Sequence, residues 1–156
     1  MIEFEVPGLK KFRFSNLVLD YNGTIAFKGR LLEGIDKILD EISNKLKIYI
    51  VTADTFGTAK DIKQILNCEV HILPAEDQAK LKADFVGIIG SDTSIAIGNG
   101  SNDSKMVKAA GLGIAVIGPE GASSKTIQNA DIVCNSIFDA LNLLLFPELI
   151  VATLRE

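Results

Sequence analysis

Cysteine is scarce in this chain: only Cys68 and Cys134 occur, each in or beside an apolar strand-like run, and neither belongs to a CxxC pair. That spacing excludes a thiol-based metal or redox centre and leaves two buried free thiols as the expectation. Histidine is scarcer still, and His71, alone within the apolar run VHIL, is expected to be a packed core residue rather than a catalyst. Long apolar runs are missing. None approaches the ~18 residues of a membrane span, and the amino terminus, MIEFEVPGLKK, lacks the positive start and apolar stretch of a signal peptide. A cytoplasmic protein with no membrane partner is expected. An excess of basic charge is missing too: 16 Lys+Arg against 20 Asp+Glu give −4, and the basic residues are scattered as Lys10/Lys11, Lys45/Lys47 and Lys80/Lys82, which argues against nucleic acid as a partner. No repeat, low-complexity tract or Pro/Gly/Ser-rich linker divides the sequence. One domain is therefore expected over residues 1–156, with 47% hydrophobic content to fill its core.

What is present is alternation. Apolar runs suited to strands are LVL (17–19), IYIV (48–51), VHIL (70–73), IAI (95–97), IAVI (114–117) and DIVC (131–134). Between most of them lie segments of helical period, carried by Leu31, Leu32, Ile35, Ile38, Leu39 and Ile42, then by Ala59, Ile62, Ile65 and Leu66, then by Leu81, Phe85, Ile88 and Ile89. Strands apolar throughout suit a parallel sheet covered on both faces, so the expected fold class is α/β, a three-layer doubly wound parallel sheet. Ahead of it, IEFEVPGLKKFRFS alternates apolar with charged residues about Pro7-Gly8. This predicts an N-terminal β-hairpin over residues 1–15 that decorates the sheet edge, with an oligomer contact as the alternative. A second small hairpin is expected in TIAFKGRL, turning at Lys28-Gly29, and two short amphipathic helices in SIFDALNLLLF and PELIVATLRE. Glu76/Lys80 and Lys37/Glu41 have the spacing of solvated helical ion pairs.

Three of the strand candidates end in polar clusters: Asp20-Tyr-Asn-Gly-Thr24, Thr52-Ala-Asp-Thr55 and Gly98-Asn-Gly-Ser-Asn-Asp103. One such cluster could be a turn or helix cap; three at adjacent strand ends are the parts of a nucleophile, a phosphate clamp and a magnesium site. Asp54 and Thr55 are expected to cap a helix starting near Phe56.

From Phe14 to Leu145 the sequence resembles the haloacid dehalogenase-like superfamily of phosphohydrolases, and within it the phosphorylation domain of P-type ATPases. LVLDYNGTIA is similar to the first family motif, IYIVTAD to the second and GNGSND to the fourth, and KMVKAAGLGIAVIGPEGASSKTIQNADIV resembles the ATPase segment that follows. For the lysine of the third motif, Lys82 is followed by Ala-Asp-Phe-Val as in the ATPases, whereas Lys80 puts Ala83 and Asp84 in the apolar places; Lys82 is the expected residue.

The resemblance implies a Rossmann-like core, Mg2+ as cofactor, and catalysis through an aspartyl-phosphate on Asp20. It gives Thr52, Ala53 and Lys82 to the phosphate, and Asp20, the Asn22 carbonyl, Asn99 and Asp103 to the metal; Thr24 shapes the loop. Two positions depart from the phosphatase pattern. Asn22 stands where hydrolytic members have a general acid, and an amide cannot carry that proton, so slow hydrolysis is expected. Asn99 replaces a magnesium-binding Asp, which predicts looser metal binding. Neither 25–51 nor 53–81 has room for a cap domain, so the site should be open to a small-molecule or macromolecular phosphate substrate, or covered by a neighbour in a homo-oligomer. A phosphate-binding regulatory or interaction module with decayed catalysis is the alternative function.

Overall fold

The computed structural model describes residues 1–155. The chain opens with an antiparallel pair, β1 (Ile2–Glu5) and β2 (Lys11–Phe14), in which Ile2 faces Phe14 and Glu5 faces Lys11. Alternation sends Ile2, Phe12 and Phe14 into the core, and keeps Glu3 outside, paired with Lys11 and, at 3.0 Å, with Arg13. The hairpin is a sheet of its own rather than an extension of the main one.

Next come β3 (Asn16–Leu19), a tight antiparallel hairpin of β4 (Ala26–Phe27) and β5 (Arg30–Leu31), and α1 (Ile35–Ser43). They are followed by β6 (Lys47–Thr52), a 3-10 helix at Ala59–Gln64, β7 (Glu69–Ile72) and α2 (Gln78–Ile89). The second half supplies β8 (Ser94–Gly98), α3 (Ser104–Ala109), β9 (Leu112–Val116), α4 (Ser124–Asn129) and β10 (Ile132–Cys134), then α5 (Ile137–Leu145) and α6 (Glu148–Leu154).

Six strands make one parallel sheet in the order β10-β9-β8-β3-β6-β7. The expected doubly wound sheet is therefore present, and its strands β3, β8 and β9 are buried at every residue. Alternation along β3 separates the two outer layers. Leu17 and Leu19 join α1 and α5 in the large cluster with Ile35, Leu39, Leu141 and Leu144; Val18 joins Val86 of α2 and Met106 of α3 on the other face. Strand order reverses at β3, flanked by β6 and β8, and the crevice beyond such a reversal is where ligands bind in open α/β sheets.

Several local expectations are corrected. Leu31 and Leu32 fit the repeat of the first helix but precede it: Leu31 lies in β5, and α1 starts after Gly34, whose φ of 86° breaks the helical path. Ala59–Gln64 is a 3-10 helix, not an α-helix; the i, i+3 spacing of Ala59 and Ile62 serves both. His71 is on the edge strand β7 and half-exposed, its ring 4.5 Å from that of Phe85 and 3.4 Å from Glu69, because an edge strand lacks a neighbour to bury it. Lys80 pairs with Asp84 at 3.1 Å rather than with Glu76, which precedes the helix; no ion pair joins Lys37 to Glu41 among the described residues. Both cysteines are free, Cys134 buried and Cys68 partly so. Among the described residues no single helix is long and apolar enough to cross a membrane. Residues 25–51 hold the β4/β5 hairpin and α1, and 53–81 a 3-10 helix, β7 and the start of α2, so neither interval contains a cap domain.

Candidate active site

Parallel register brings the three polar clusters together. Leu19 pairs with Ile50 of β6 and with Ile97 of β8, so the residues that follow each strand leave the sheet side by side, and the Asp20 N–H donates to the Ile97 carbonyl at 3.1 Å. Lys82 comes from the second turn of α2, a helix pinned to α3, and is fully buried. Its ammonium donates to Asp20 Oδ1 at 2.5 Å and to Asp103 Oδ1 at 2.6 Å. Lys80 is exposed on the same helix and bound to Asp84.

Every oxygen of this buried trio has a defined neighbour. Asp20 Oδ2 accepts from Thr24 Oγ1 at 3.2 Å; Asp103 Oδ2 accepts the N–H groups of Asn99 and Gly100 at 3.0 and 2.9 Å. Asp103 can sit so close to the strand end only because Gly98 has no side chain: a Cβ there would lie 2.5 Å from that of Asp103. Asp103, expected from the resemblance to serve the metal, thus has both oxygens engaged, one by Lys82 and the other by the Asn99 and Gly100 N–H groups.

The electrostatics follow from burial and charge count. Burial, with the Asp103 carboxylate adding to it, pushes the Asp20 carboxyl up to about 6 against the opposing pull of Lys82. Burial alone would lower Lys82, but the Asp20 and Asp103 carboxylates overcome it and hold the amine above its ordinary value. Two carboxylates and one ammonium leave a net negative charge at the floor of the site.

The two asparagines are structural members of this region. Asn22 Oδ1 accepts the Gly29 N–H at 2.9 Å, fastening the β4/β5 hairpin whose tip is also held by Tyr21 and Thr58 through the Gly29 carbonyl. Asn99 Oδ1 accepts from Thr24 at 3.3 Å, and its Nδ2 donates to the Gly121 carbonyl at 3.1 Å. On the β6 side, Thr52 is buried and its Oγ1 accepts the Asp54 N–H at 3.0 Å. Asp54, at φ 52°, accepts the Ala59 N–H at 2.9 Å, so it does cap a helix, but one that begins at Ala59 rather than near Phe56. Thr55 has no capping bond and faces the cleft.

Above the trio is a cleft of about 250 Å³ lined by Asp20, Asn22, Thr52, Ala53 and Asn99 of the expected set. Lys82 and Asp103 form its buried underside. The lining also includes Phe56, Gln78, Asn102 and Glu120, to none of which the sequence assigns a role. Asn102 lies inside GNGSND and donates to Gln78 at 2.9 Å; Glu120 follows β9 in a turn within the segment that resembles the ATPases, where the resemblance assigns no individual residue a role. A larger hollow of about 360 Å³ sits at the other end of the sheet, at the starts of β6 and β7. It lacks a comparable buried set of charges and lies away from the carboxyl strand ends where such folds place their chemistry.

Comparison with known proteins agrees with a doubly wound sheet that carries an Asp–Lys–Asp trio at its switch point. Residues 80–139 match the haloacid dehalogenase-like hydrolases. It is 58% identical over 62 residues to an uncharacterised protein of Methanocaldococcus jannaschii, covering 40% of this chain and 67% of that one. It is 23% identical over 137 residues to a soluble P-type ATPase-like phosphatase of the same organism, spanning 83% of this chain and 50% of the phosphatase. In fold it is similar to 3-deoxy-D-manno-octulosonate 8-phosphate phosphatase from Moraxella catarrhalis, solved with magnesium, phosphate and its sugar: TM-score 0.66, 16% identity, 91% of this chain and 94% of that one covered.

Proposed function

We propose that the protein is a magnesium-dependent phosphatase or phosphotransferase that works through phospho-Asp20. The observation that carries this reading is the contact of Lys82 with both Asp20 and Asp103 beneath a cleft that Thr52 also lines. Attack forms a bond from an Asp20 carboxylate oxygen to phosphorus as the bond to the leaving oxygen breaks, and that oxygen keeps the electron pair. Lys82 offsets charge on the nucleophile and the transferred group. The Thr52 hydroxyl accepts from Asp54, so its own hydrogen is free to donate to a phosphoryl oxygen. The donor set fits magnesium: the Asp20 carboxylate, the Asn22 carbonyl and the Asn99 amide oxygen offer oxygen only, over a net negative floor. When bound, magnesium neutralises charge shared by nucleophile and phosphoryl group. Asn22 cannot protonate a leaving group or activate water, so donors with good leaving groups are favoured and the intermediate is long-lived. The substrate is a small-molecule or macromolecular phosphate ester; a neighbouring subunit is the other way to complete the open cleft.

Incubation with acetyl phosphate and magnesium should add one phosphoryl group to the wild type and none to Asp20→Asn, read by intact mass. Equal turnover by the two would remove Asp20 from the role. Asn22→Asp should raise steady-state turnover toward the ~100-fold that a proton carrier contributes, and shorten the intermediate's life. The second reading, a phosphate-binding regulatory module, is favoured by the use of both asparagine side chains as scaffold; phosphate binding with no phosphoenzyme from any donor would select it.

A further inference from the structure

A neutral amide at Asn99 leaves the proposed metal site one carboxylate short, and the fold brings another to the same place. The turn after β9 is closed by paired main-chain bonds between Gly118 and Gly121, and Asn99 Nδ2 donates to the Gly121 carbonyl. An aspartate at position 99 could not make that last bond, since a carboxylate donates nothing. The turn also lies directly on the nucleophile loop: a Cβ on Gly118 would sit 2.1 Å from the Gly23 carbonyl oxygen. The result is that Glu120 lines the cleft with Asp20 and Asn99. A Cβ on Gly23 would be 2.8 Å from Glu120 Oε2 and equally 2.8 Å from both Asn99 amide atoms, so the carboxylate and the amide flank one point beside the nucleophile loop. Among the described residues Glu120 has no ion-pair partner.

We propose that Glu120 supplies the second carboxylate of the divalent-cation site, in the place that Asn99 leaves neutral, while Asn99 holds the turn that presents it. This rests on the reading of Asp20 as the core of a magnesium site. The charge count agrees: the Asp20–Lys82–Asp103 trio carries one net negative charge, and Glu120 makes it two, opposite to a divalent cation.

Binding of Mn2+ to the whole protein, followed by the loss of the free-ion electron paramagnetic resonance signal, tests this without turnover. The wild type should bind one Mn2+, Asp20→Asn should lose it, and Glu120→Gln should bind about tenfold or more weakly with an unchanged metal-free melting temperature. Asn99→Asp in the Glu120→Gln background should recover much of the affinity by restoring a carboxylate. Wild-type affinity in Glu120→Gln, beside a clear loss in Asp20→Asn, overturns the role of Glu120 and leaves the magnesium reading intact. The same affinity with slowed turnover also overturns it, and makes Glu120 a proton carrier instead. No Mn2+ site in the wild type overturns both.

Discussion

The two walls of the cleft are built differently. The wall made by β8, the GNGSND turn and α3 is densely hydrogen-bonded about buried Asp103: Asp103 takes three bonds, Thr126 donates to the Gly100 carbonyl at 2.6 Å, and the Ser123 N–H reaches the Asn99 carbonyl at 2.8 Å. The wall after β6 is a turn at positive φ, a 3-10 helix and an edge strand, with Phe56, Ile65 and Ile72 exposed. Polar scaffolding with many hydrogen bonds stands on the side that holds Asp103 and Lys82, and a thinner, less buried segment stands on the other. Five substitutions and one pH scan probe this contrast.

The largest effect is expected on the densely hydrogen-bonded side. Lys82→Ala removes the only cation of the trio and leaves two facing carboxylates, so metal-free stability should fall by about 3–5 kcal/mol in urea denaturation, and turnover should vanish. Next is Gly23→Ala. At φ 87°, with Asn99 and Glu120 occupying the space of a Cβ, the change should cost about 1–3 kcal/mol and also weaken Mn2+ binding.

The trio also sets a pH dependence. The Asp20 carboxyl titrates at about 6 in the folded protein, above its ordinary 3.8, so the folded state holds this proton more tightly. Its contribution to metal-free stability is therefore fully present below about 3.8 and is lost as pH rises to about 6. Asp20→Asn should flatten the stability profile across that window, measured by denaturant midpoints; an unaltered profile would show that Asp20 is not the buried group that titrates there.

Much of this contrast is legible in the amino-acid sequence. Strands apolar throughout call for a sheet covered on both faces, and Asp20, Thr52 and Asn99 at strand ends meet at the switch point because parallel register aligns those ends. Lys82 is separated from Lys80 by the residues that follow it, which resemble a family pattern; burial then divides them completely. What escapes a reading of the sequence depends on long-range packing. Gly118-Pro119-Glu120-Gly121 lies within the segment that resembles the P-type ATPases, but that resemblance gives Glu120 no role, and its seating on Gly23 and Asn99 is what brings Glu120 to the cleft. The saturation of Asp103 and the fastening of Asn22 to Gly29 are bonds between segments, which no local spacing encodes. The 3-10 helix escapes because its apolar spacing is shared with an α-helix.

On the thinner wall the effects should be smaller. Asp54→Ala removes the acceptor of the Ala59 N–H and leaves a β-carbon at φ 52°, which should cost about 1 kcal/mol in thermal or urea unfolding. Asp54→Gly should cost less, since glycine accepts that backbone conformation freely. A cost above that of Gly23→Ala would mean that this segment is as tightly specified as the opposite wall.

The smallest effect is expected two residues from the largest. Lys80 is on the same helix as Lys82 and carries the same charge, but its ammonium is in solvent, 3.1 Å from an exposed Asp84. An exposed pair four residues apart on a helix contributes about 0.3–0.5 kcal/mol at low salt, and that contribution is screened as ionic strength rises. Lys80→Ala should therefore shift the urea midpoint barely at all, lose even that shift in high salt, and leave phosphoenzyme formation and Mn2+ binding unchanged. Lys82→Ala should retain its full destabilisation in the same salt, because a buried charge pair is shielded from mobile ions. If Lys80→Ala instead impaired phosphoenzyme formation, the lysine beside the nucleophile would have been misassigned, and the densely hydrogen-bonded wall would no longer be the one that carries the chemistry.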